Sequence, residues 1–534
     1  TATTDSKLYK LTRGMLVHIL GPMFDTVMAS VRTLLPGGGL QDRIVHGAGR
    51  AQHHGHTDPV AASPSSYMAT EDKWERSLFE LQESARTPTA ELPLRPGSML
   101  VFTVPLKGFN SAVRIGVSEE VHGYESEIGA CHVHPMMIKG SCGFLDLTIT
   151  RGDQFVGTLH GTYLVVIPVD LPNLDLSATW RRYWGSGSRG TRKIGHRGMG
   201  KSLKTPVGHD RKSGLPENSL LSFITAGRVG ANLVEFDVML SKDNIPIITH
   251  DFQIPTLAAD TEDGVFEPIS VLVHRLTMRQ LFRLRRQTAL GEPRLKVLIR
   301  KHWRQIMIMA GGTSPRKQSA PGRMQSLLHQ IPLLRSLLQI VPQHVGFNIE
   351  IKYPFEQKDR WLRDLKEFDM NNFVDRILHT VFFYAQPTRT IVFSCFDPDL
   401  CVLLAAKQPR YPVLFLTQSH DAVDLRGLSL EFSVLFVKSE GLQGIVTHVG
   451  PLLQDPPLIT AIKSEGLILF SYGDENVGGA IKLQLAHHID GVILDNLSRG
   501  VDDDGFKRRD SLNDIDVLHE LSELSGFEES AQLM

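Results

Sequence analysis

Four short stretches put ionisable side chains into otherwise apolar, strand-like runs: His196-Arg197-Gly198, Glu235-Phe236-Asp237, His250-Asp251 and Glu350-Ile351-Lys352. Side chains alternate along a strand, so Glu235 and Asp237 face one way, as do Glu350 and Lys352. Three carboxylates gathered at one place repel each other unless something neutralises them. A hard divalent cation does so with oxygen ligands, which makes Glu235, Asp237 and Glu350 the candidate ligand set. Arg197 and Lys352 add fixed positive charge beside it. A cation, an Arg and a Lys together grip a phosphoryl group and stabilise the charge that develops on it. His196 and His250 supply a proton acceptor and a proton donor near neutral pH. Cleaving a phosphodiester needs those parts: charge neutralisation, a base for the nucleophile and an acid for the leaving oxygen.

Singly, these pieces have ordinary explanations. A Glu-x-Asp is commonly a solvated strand face, a His-Asp a capping or core pair, and a Glu-x-Lys a surface ion pair. The argument rests on their conjunction, in order, each at a strand end. Glu217 and Asn218, after Pro216, have two readings. They open a helix, with Asn218 or Ser219 as its cap, or they brace the His196-Arg197 loop.

The elements that must position these groups are apolar runs separated by helical patterns. Nine such runs occur, at residues 193–196, 233–238, 246–250, 345–351, 390–394, 411–416, 444–446, 467–471 and 491–495. Nearly continuous apolar and β-branched runs suit strands buried on both faces. Helical patterns at residues 219–230 and 456–465 suggest βα units. The expectation is an α/β fold, a (β/α)8 TIM-type barrel over residues 190–500 with an insertion at residues 252–344. Its C-terminal strand ends would bring the ionisable groups to one mouth. Only residues 241–244 separate the second run from the third, too few for a parallel crossover. The third run is therefore read as a hairpin return or as a departure from the barrel, and one run is surplus.

Short alternating runs at residues 98–104, 111–117, 144–149 and 162–167 read as a small all-β sandwich-like domain over residues 96–172. Residues 1–95 read as a poorly defined leader and linker, rich in Gly, His, Ala, Ser and Pro between Gly37 and Ser66. Residues 501–534 read as an acidic flexible tail with an amphipathic stretch from Ile515 to Leu524. The insertion is basic near residues 275–286 and 316–335, which is read as solvated helical faces.

The 57 basic and 58 acidic residues nearly cancel, so charge gives no argument for nucleic acid or an anionic membrane. The four cysteines, Cys131, Cys142, Cys395 and Cys401, are too few for a disulfide scaffold and suggest a reducing, cytoplasmic setting. Cys131-His132-Val133-His134 looks like half of a zinc site, but no second half follows. The early apolar stretch from Met15 to Leu35 carries His18, Asp25 and Arg32, so no transmembrane segment is expected. The sequence begins at Thr1 rather than Met, which suits a processed or partial chain.

Taken in order, His196-Arg197-Gly198, Pro216 to Ser219, Glu235-Phe236-Asp237, His250-Asp251 and Glu350-Ile351-Lys352 resemble the signature of the glycerophosphodiester phosphodiesterases. The resemblance runs on through Phe393–Cys401, Tyr411–Gln418 and Asp490–Asp495. Residues 345–352, the insertion and the run at 163–169 are most similar to the cytosolic glycerophosphocholine phosphodiesterase branch. That resemblance implies release of choline and sn-glycerol 3-phosphate from glycerophosphocholine, with Mg2+, or alternatively Ca2+, as cofactor. It implies His196 and His250 as the acid/base pair, Arg197 and Lys352 on the phosphate, and Glu235, Asp237 and Glu350 on the metal, with His250 touching it. It leaves open attack by the neighbouring glycerol hydroxyl, through a cyclic phosphate, or by water. The family often has Trp-Thr-x-Asn late in the barrel. Here Tyr472 to Asn476 stands in that place, with Tyr472 as an aromatic wall. Other members of the branch often begin with a starch-binding domain; the first 95 residues here hold one tryptophan, Trp74, and carbohydrate binding is not inferred. A small glycerophosphodiester is the expected partner. Competing expectations are a lysophospholipase D-type activity and a non-catalytic scaffold.

Overall fold

The computed structural model describes residues 124–172, 174–175, 179–184, 190–201, 215–259, 266–283, 331–353, 368–419 and 424–497, together with five strands nearer the start of the chain. Those strands are β1 (Gly14–Leu20), β2 (Met28–Thr33), β3 (Asp42–Arg43), β4 (Met99–Pro105) and β5 (Val113–Val121). With β6 (Tyr124–Val133), β7 (Cys142–Arg151) and β8 (Gln154–Val166) they form one antiparallel sheet, in the order β3-β2-β5-β6-β7-β8-β1-β4. On β7 the alternation is plain: Leu145, Leu147 and Ile149 are buried while Phe144, Asp146 and Thr148 are exposed. Three strands of this sheet come from the segment read as leader. His18 and Arg32 interrupt the apolar alternation there and hide it. Apart from Asp42–Arg43, the Gly37–Ser66 linker lies outside the described residues, as do the acidic tail, residues 284–286 of the first basic run and residues 316–330 of the second.

Next come α1 (Trp180–Trp184) and then β9 (Arg192–Gly195), α2 (Leu220–Arg228), β10 (Leu233–Leu240) and β11 (Pro246–Ile248). The insertion contributes β12 (Gln253–Ala259) and β13 (Phe266–Leu272), paired as a hairpin, then α3 (Met278–Arg283) and α4 (Leu334–Ile340). The chain continues through β14 (Gly346–Ile351), α5 (Met370–Tyr384), β15 (Ile391–Cys395), α6 (Pro398–Lys407), β16 (Val413–Thr417) and α7 (Leu430–Glu440). It ends with β17 (Gly444–His448), α8 (Val449–Gln454), α9 (Pro457–Ser464), β18 (Ile468–Tyr472), α10 (Gly478–Ala486) and β19 (Gly491–Leu494).

Eight of these strands are parallel neighbours in the order β10-β14-β15-β16-β17-β18-β19-β9, and β9 pairs back onto β10, closing a (β/α)8 barrel. The surplus run is β11. It returns antiparallel to β10, with Val238 level with Ile248, because the five residues 241–245 between them permit a hairpin and are too few for a parallel crossover. Ile194, Leu233, Val392, Leu414, Val446, Phe470 and Ile493 pack together inside the barrel. The alternate positions, such as Val234, Phe236, Phe347 and Ile349, face the helices and join a larger cluster with Phe223 and Phe373. Trp184 packs against Phe470, ring centroids 5.7 Å apart, and the Arg192 guanidinium lies 3.6 Å above the indole. Arg192 begins β9, so this stack sits at the N-terminal end of the barrel and leaves the other end for chemistry.

The antiparallel sheet meets the barrel through Asn371 in the first turn of α5. Its amide group donates to Ser141 Oγ and to the Val165 carbonyl, at 2.9 and 2.8 Å, and its oxygen accepts the Ile167 N–H at 2.9 Å. Lys407 Nζ adds a 2.6 Å bond to the Ile167 carbonyl. Among the described residues no helix is long and apolar enough to cross a membrane.

Candidate active site

Register brings the acidic residues together. In the parallel β10–β14 pair Asp237 is level with Glu350, and level residues share a face. Glu235, two residues earlier on β10, shares that face. β9 ends its pairing with β10 at Gly195, level with Val234, so Glu235 and Asp237 already lie beyond the end of that neighbour. They sit within β10 rather than at its end because β10 runs on to Leu240 to meet β11. Glu235, Asp237 and Glu350 each offer an oxygen within 4.8 Å of the others. Glu235 and Asp237 are 2% and 1% exposed, and the Glu350 side chain is 12% exposed.

The β9–α2 loop holds Arg197 over this cluster. Arg197, with φ +49°, and Gly198, with φ +96°, are both left-handed, and the bend aims the Arg197 N–H at Glu235 Oε2, 2.8 Å away. The guanidinium bonds Glu217 Oε1 at 2.8 Å, and its Nε lies 3.5 Å from Asp237 Oδ2. A Cβ on Gly198 would fall 2.4 Å from Ser222 Oγ, so only glycine lets the loop lie against α2. Both readings of residues 217–219 hold: Ser219 caps α2, accepting from the Ser222 N–H, while Glu217 bonds Arg197. Asn218, buried and also left-handed, donates from Nδ2 to Asp237 Oδ2 at 2.9 Å, and its N–H donates to the Arg197 carbonyl at 3.0 Å. From β14, Lys352 Nζ stands 3.2 Å from Glu350 Oε1.

Burial, then the charges of Asp237 and Glu350, push the Glu235 carboxyl well above the usual range, against the pull of Arg197. For Asp237 burial also opposes ionisation, but Arg197, His250, Lys352 and the Asn218 amide hold it at about 2. Burial disfavours the Lys352 charge, yet Glu350 and Asp237 raise its pKa. Three buried carboxylate oxygens of the cluster, Glu235 Oε1, Asp237 Oδ1 and Glu350 Oε1, have no hydrogen-bond partner, the last having only its ion pair with Lys352. Buried carboxylate oxygens seldom go without one. A divalent cation among these three side chains would satisfy these atoms and supply the positive charge that Glu235 lacks. The donor set, all carboxylate oxygen, suits a hard cation. Among the described residues this is the one group with such geometry. At the Cys131 motif the alternation of β6 turns the thiol inward while His132 and His134 face out.

His196 and His250 approach from different sides. His196 follows β9, bonds Asp495 through Nδ1 and places Nε2 3.8 Å from Glu235 Oε2. His250 follows β11, and its Nδ1 is 2.7 Å from Asp251 Oδ1. Lys201 reaches Asp495 Oδ2 at 3.0 Å and Asp474 Oδ1 at 2.8 Å. A cavity of 630 Å³ opens over the cluster. His196, Arg197, Glu235, His250, Glu350, Lys352 and Tyr472 all line it, whereas Asp237 and Glu217 stand behind the lining. Phe396 and Tyr472 form a corner of perpendicular rings with centroids 6.5 Å apart, and Tyr472 Oη donates to the Thr417 carbonyl at 3.3 Å. Phe252, Gln253 and Ser270, all from the insertion, close the wall near Lys352.

Sequence reasoning assigned no role to Asp495 or Lys201 and did not connect Asn218 to Asp237. The rule that found the other groups, an ionisable residue ending an apolar run, also picks out Asp495 after Gly491–Leu494. Lys201 and Asn218 sit in loops, where no period singles them out.

The sequence pattern of the glycerophosphoryl diester phosphodiesterase family matches residues 196–499. The chain is 35% identical over 376 residues to the Candida albicans glycerophosphocholine phosphodiesterase GDE1, covering 64% of this chain and 31% of that protein. It is 32% identical over 372 residues to the human glycerophosphocholine phosphodiesterase GPCPD1, covering 67% of this chain and 51% of that protein. It is 33% identical over 310 residues to the Arabidopsis thaliana glycerophosphodiester phosphodiesterase GDPD2, covering 57% of this chain and 74% of that protein. The chain thus spans about a third of the fungal relative and about half of the human one.

Proposed function

Because the chain belongs to the glycerophosphoryl diester phosphodiesterase family, we propose that it hydrolyses glycerophosphodiesters with the help of a divalent metal ion, and that glycerophosphocholine is its substrate. The products are choline and sn-glycerol 3-phosphate, a step in glycerophospholipid breakdown. The observation that carries this reading is the carboxylate cluster of Glu235, Asp237 and Glu350 with its partnerless oxygens, flanked by Arg197 and Lys352. The names of the fungal and human relatives support the choice of substrate.

Glu235, Asp237 and Glu350 would hold the metal, which when bound neutralises phosphate charge and polarises the ester; magnesium is the cation this reading favours. Arg197 and Lys352 bind the phosphate oxygens and offset the charge that builds during attack. One histidine takes the proton of the attacking hydroxyl or water. The other gives a proton to the choline oxygen as its bond to phosphorus breaks. Tyr472 and Phe396 face the head group, and Glu217 keeps the Arg197 guanidinium in place.

The test is release of choline from glycerophosphocholine, with and without a chelator. Release that stops on chelation and returns with Mg2+ supports the reading. Unchanged release under chelation overturns the metal, and no release from any glycerophosphodiester overturns the reaction.

A further inference from the structure

Asp495 and His196 end adjacent strands. In the β19–β9 pair Leu494 is level with Gly195, and the His196 N–H bonds the Leu494 carbonyl at 3.1 Å, so the next residue on each strand comes side by side. The loop after β9 then folds over the backbone of Asp495. Gly200, with φ +117°, passes so close that a Cβ there would lie 1.7 Å from the Asp495 carbonyl oxygen, and the Leu497 N–H bonds the Met199 carbonyl at 3.4 Å. One end of this carboxylate makes a hydrogen bond and the other an ion pair. Oδ1 bonds His196 Nδ1, and Oδ2 lies 3.0 Å from Lys201 Nζ, which Asp474 anchors from β18's side. Each of the His196 and Asp495 side chains is only 16% exposed, and His196 faces the cavity.

We propose that Asp495 is the positioning residue of His196, and that Lys201 holds Asp495 for this task. An ionised carboxylate only accepts hydrogen bonds, so the proton of the neutral imidazole sits on Nδ1. Nε2 is then the free acceptor, turned to the side where Glu235 lies. When Nε2 takes the proton of the attacking hydroxyl, the ring becomes an imidazolium and the Asp495 carboxylate balances its charge without itself being protonated. Burial alone would raise the Asp495 carboxyl, but the His196 bond and Lys201 hold it below the usual carboxylate range. The kinetic consequence rests on the phosphodiesterase reading; the tautomer does not.

The experiment has two arms, both on the full chain. In the first, ring nitrogens of 15N-histidine-labelled protein are observed by NMR, with His196→Gln identifying the His196 signals. The expected result is a proton on Nδ1, lost or moved to Nε2 in Asp495→Asn. A wild-type ring protonated on Nε2 overturns the proposal, whatever the protein hydrolyses. In the second arm, Asp495→Asn lowers kcat for glycerophosphocholine at least a hundredfold with KM changed less than threefold. Asp495→Ala recovers at least tenfold of its lost rate in added formate, which restores the carboxylate. Lys201→Met lowers kcat about tenfold, through Asp495. A kcat for Asp495→Asn within threefold of wild type overturns the proposal, as does an equal loss in kcat and affinity that formate leaves untouched. If wild type releases no choline while its His196 carries the Nδ1 proton, the phosphodiesterase reading fails and the positioning stands.

Discussion

The backbone N–H of Arg197 and the carboxylate of Glu235 are joined by a 2.8 Å hydrogen bond, so the loop that carries the Arg197 guanidinium is tied directly to the carboxylate cluster. That bond exists because Arg197 and Gly198 take left-handed backbone angles. Gly198→Ala should therefore strain the loop and press on Ser222. The expected cost is roughly 1–3 kcal/mol of stability, read as a lower urea midpoint, with at least a tenfold loss of choline release. A variant with wild-type midpoint and activity would show that the loop needs no glycine here.

Asn218 supports Asp237 through Nδ2 and the Arg197 carbonyl through its N–H. Removing a hydrogen-bond partner of a metal-bound carboxylate typically costs about 10- to 100-fold in metal affinity or activity. Asn218→Gly tolerates the left-handed backbone and should show that loss with little change in stability. Asn218→Ala should show it together with lower stability. Calorimetric titration with Mg2+, beside thermal melts, separates the two effects.

Removing one charge from the carboxylate cluster should have opposite effects on stability and on metal binding. Burial and the charges of Asp237 and Glu350 oppose ionisation of Glu235. In chelator, Glu235→Gln should be at least as stable as wild type. Saturation to a hundred times the dissociation constant should stabilise wild type by about 2.7 kcal/mol through binding alone, and leave Glu235→Gln unmoved. Denaturation curves with and without Mg2+ read both. Stabilisation of the variant by Mg2+ to the wild-type extent would remove Glu235 from the ligand set.

Tyr472 and Phe396 line the cavity with their rings perpendicular to each other. A ring face over a quaternary ammonium contributes about 0.5–2 kcal/mol, which is roughly a 2- to 30-fold change in KM. Tyr472→Leu should raise KM for glycerophosphocholine by that factor and leave KM for a glycerophosphodiester with an uncharged head group nearly unchanged. Equal effects on both substrates would mean that the ring serves only as packing.

The barrel was readable because its strands are buried on both faces, and burial leaves short apolar runs such as Val345–Ile351, bounded by turns and repeated between helical patterns. The site was readable for the same reason: a Glu or Lys in such a run stands out. The β11 hairpin was readable from the short turn at residues 241–244, although whether it left the barrel was not. Residues whose importance comes from contacts across the fold left no local trace. Asn218 looks like any helix start, and Lys201 like any surface lysine, until Asp237 and Asp495 are brought to them. The strands Gly14–Leu20 and Met28–Thr33 were missed because His18 and Arg32 break the apolar alternation along them.

The β11 hairpin turns the chain out of the barrel and hands it to the insertion, which returns only at β14, the next barrel strand. The insertion leaves from the rim beside His250 and ends in α4, which packs against the barrel before β14. Phe252, Gln253 and Ser270 are its contribution to the cavity wall. Part of the cavity wall and the carboxylate cluster accordingly come from separable pieces of chain. An exchange of residues 252–272 between relatives would transplant the outer wall of the pocket while the carboxylates, Arg197 and His196 keep their frame. That wall can then be exchanged without reopening the barrel.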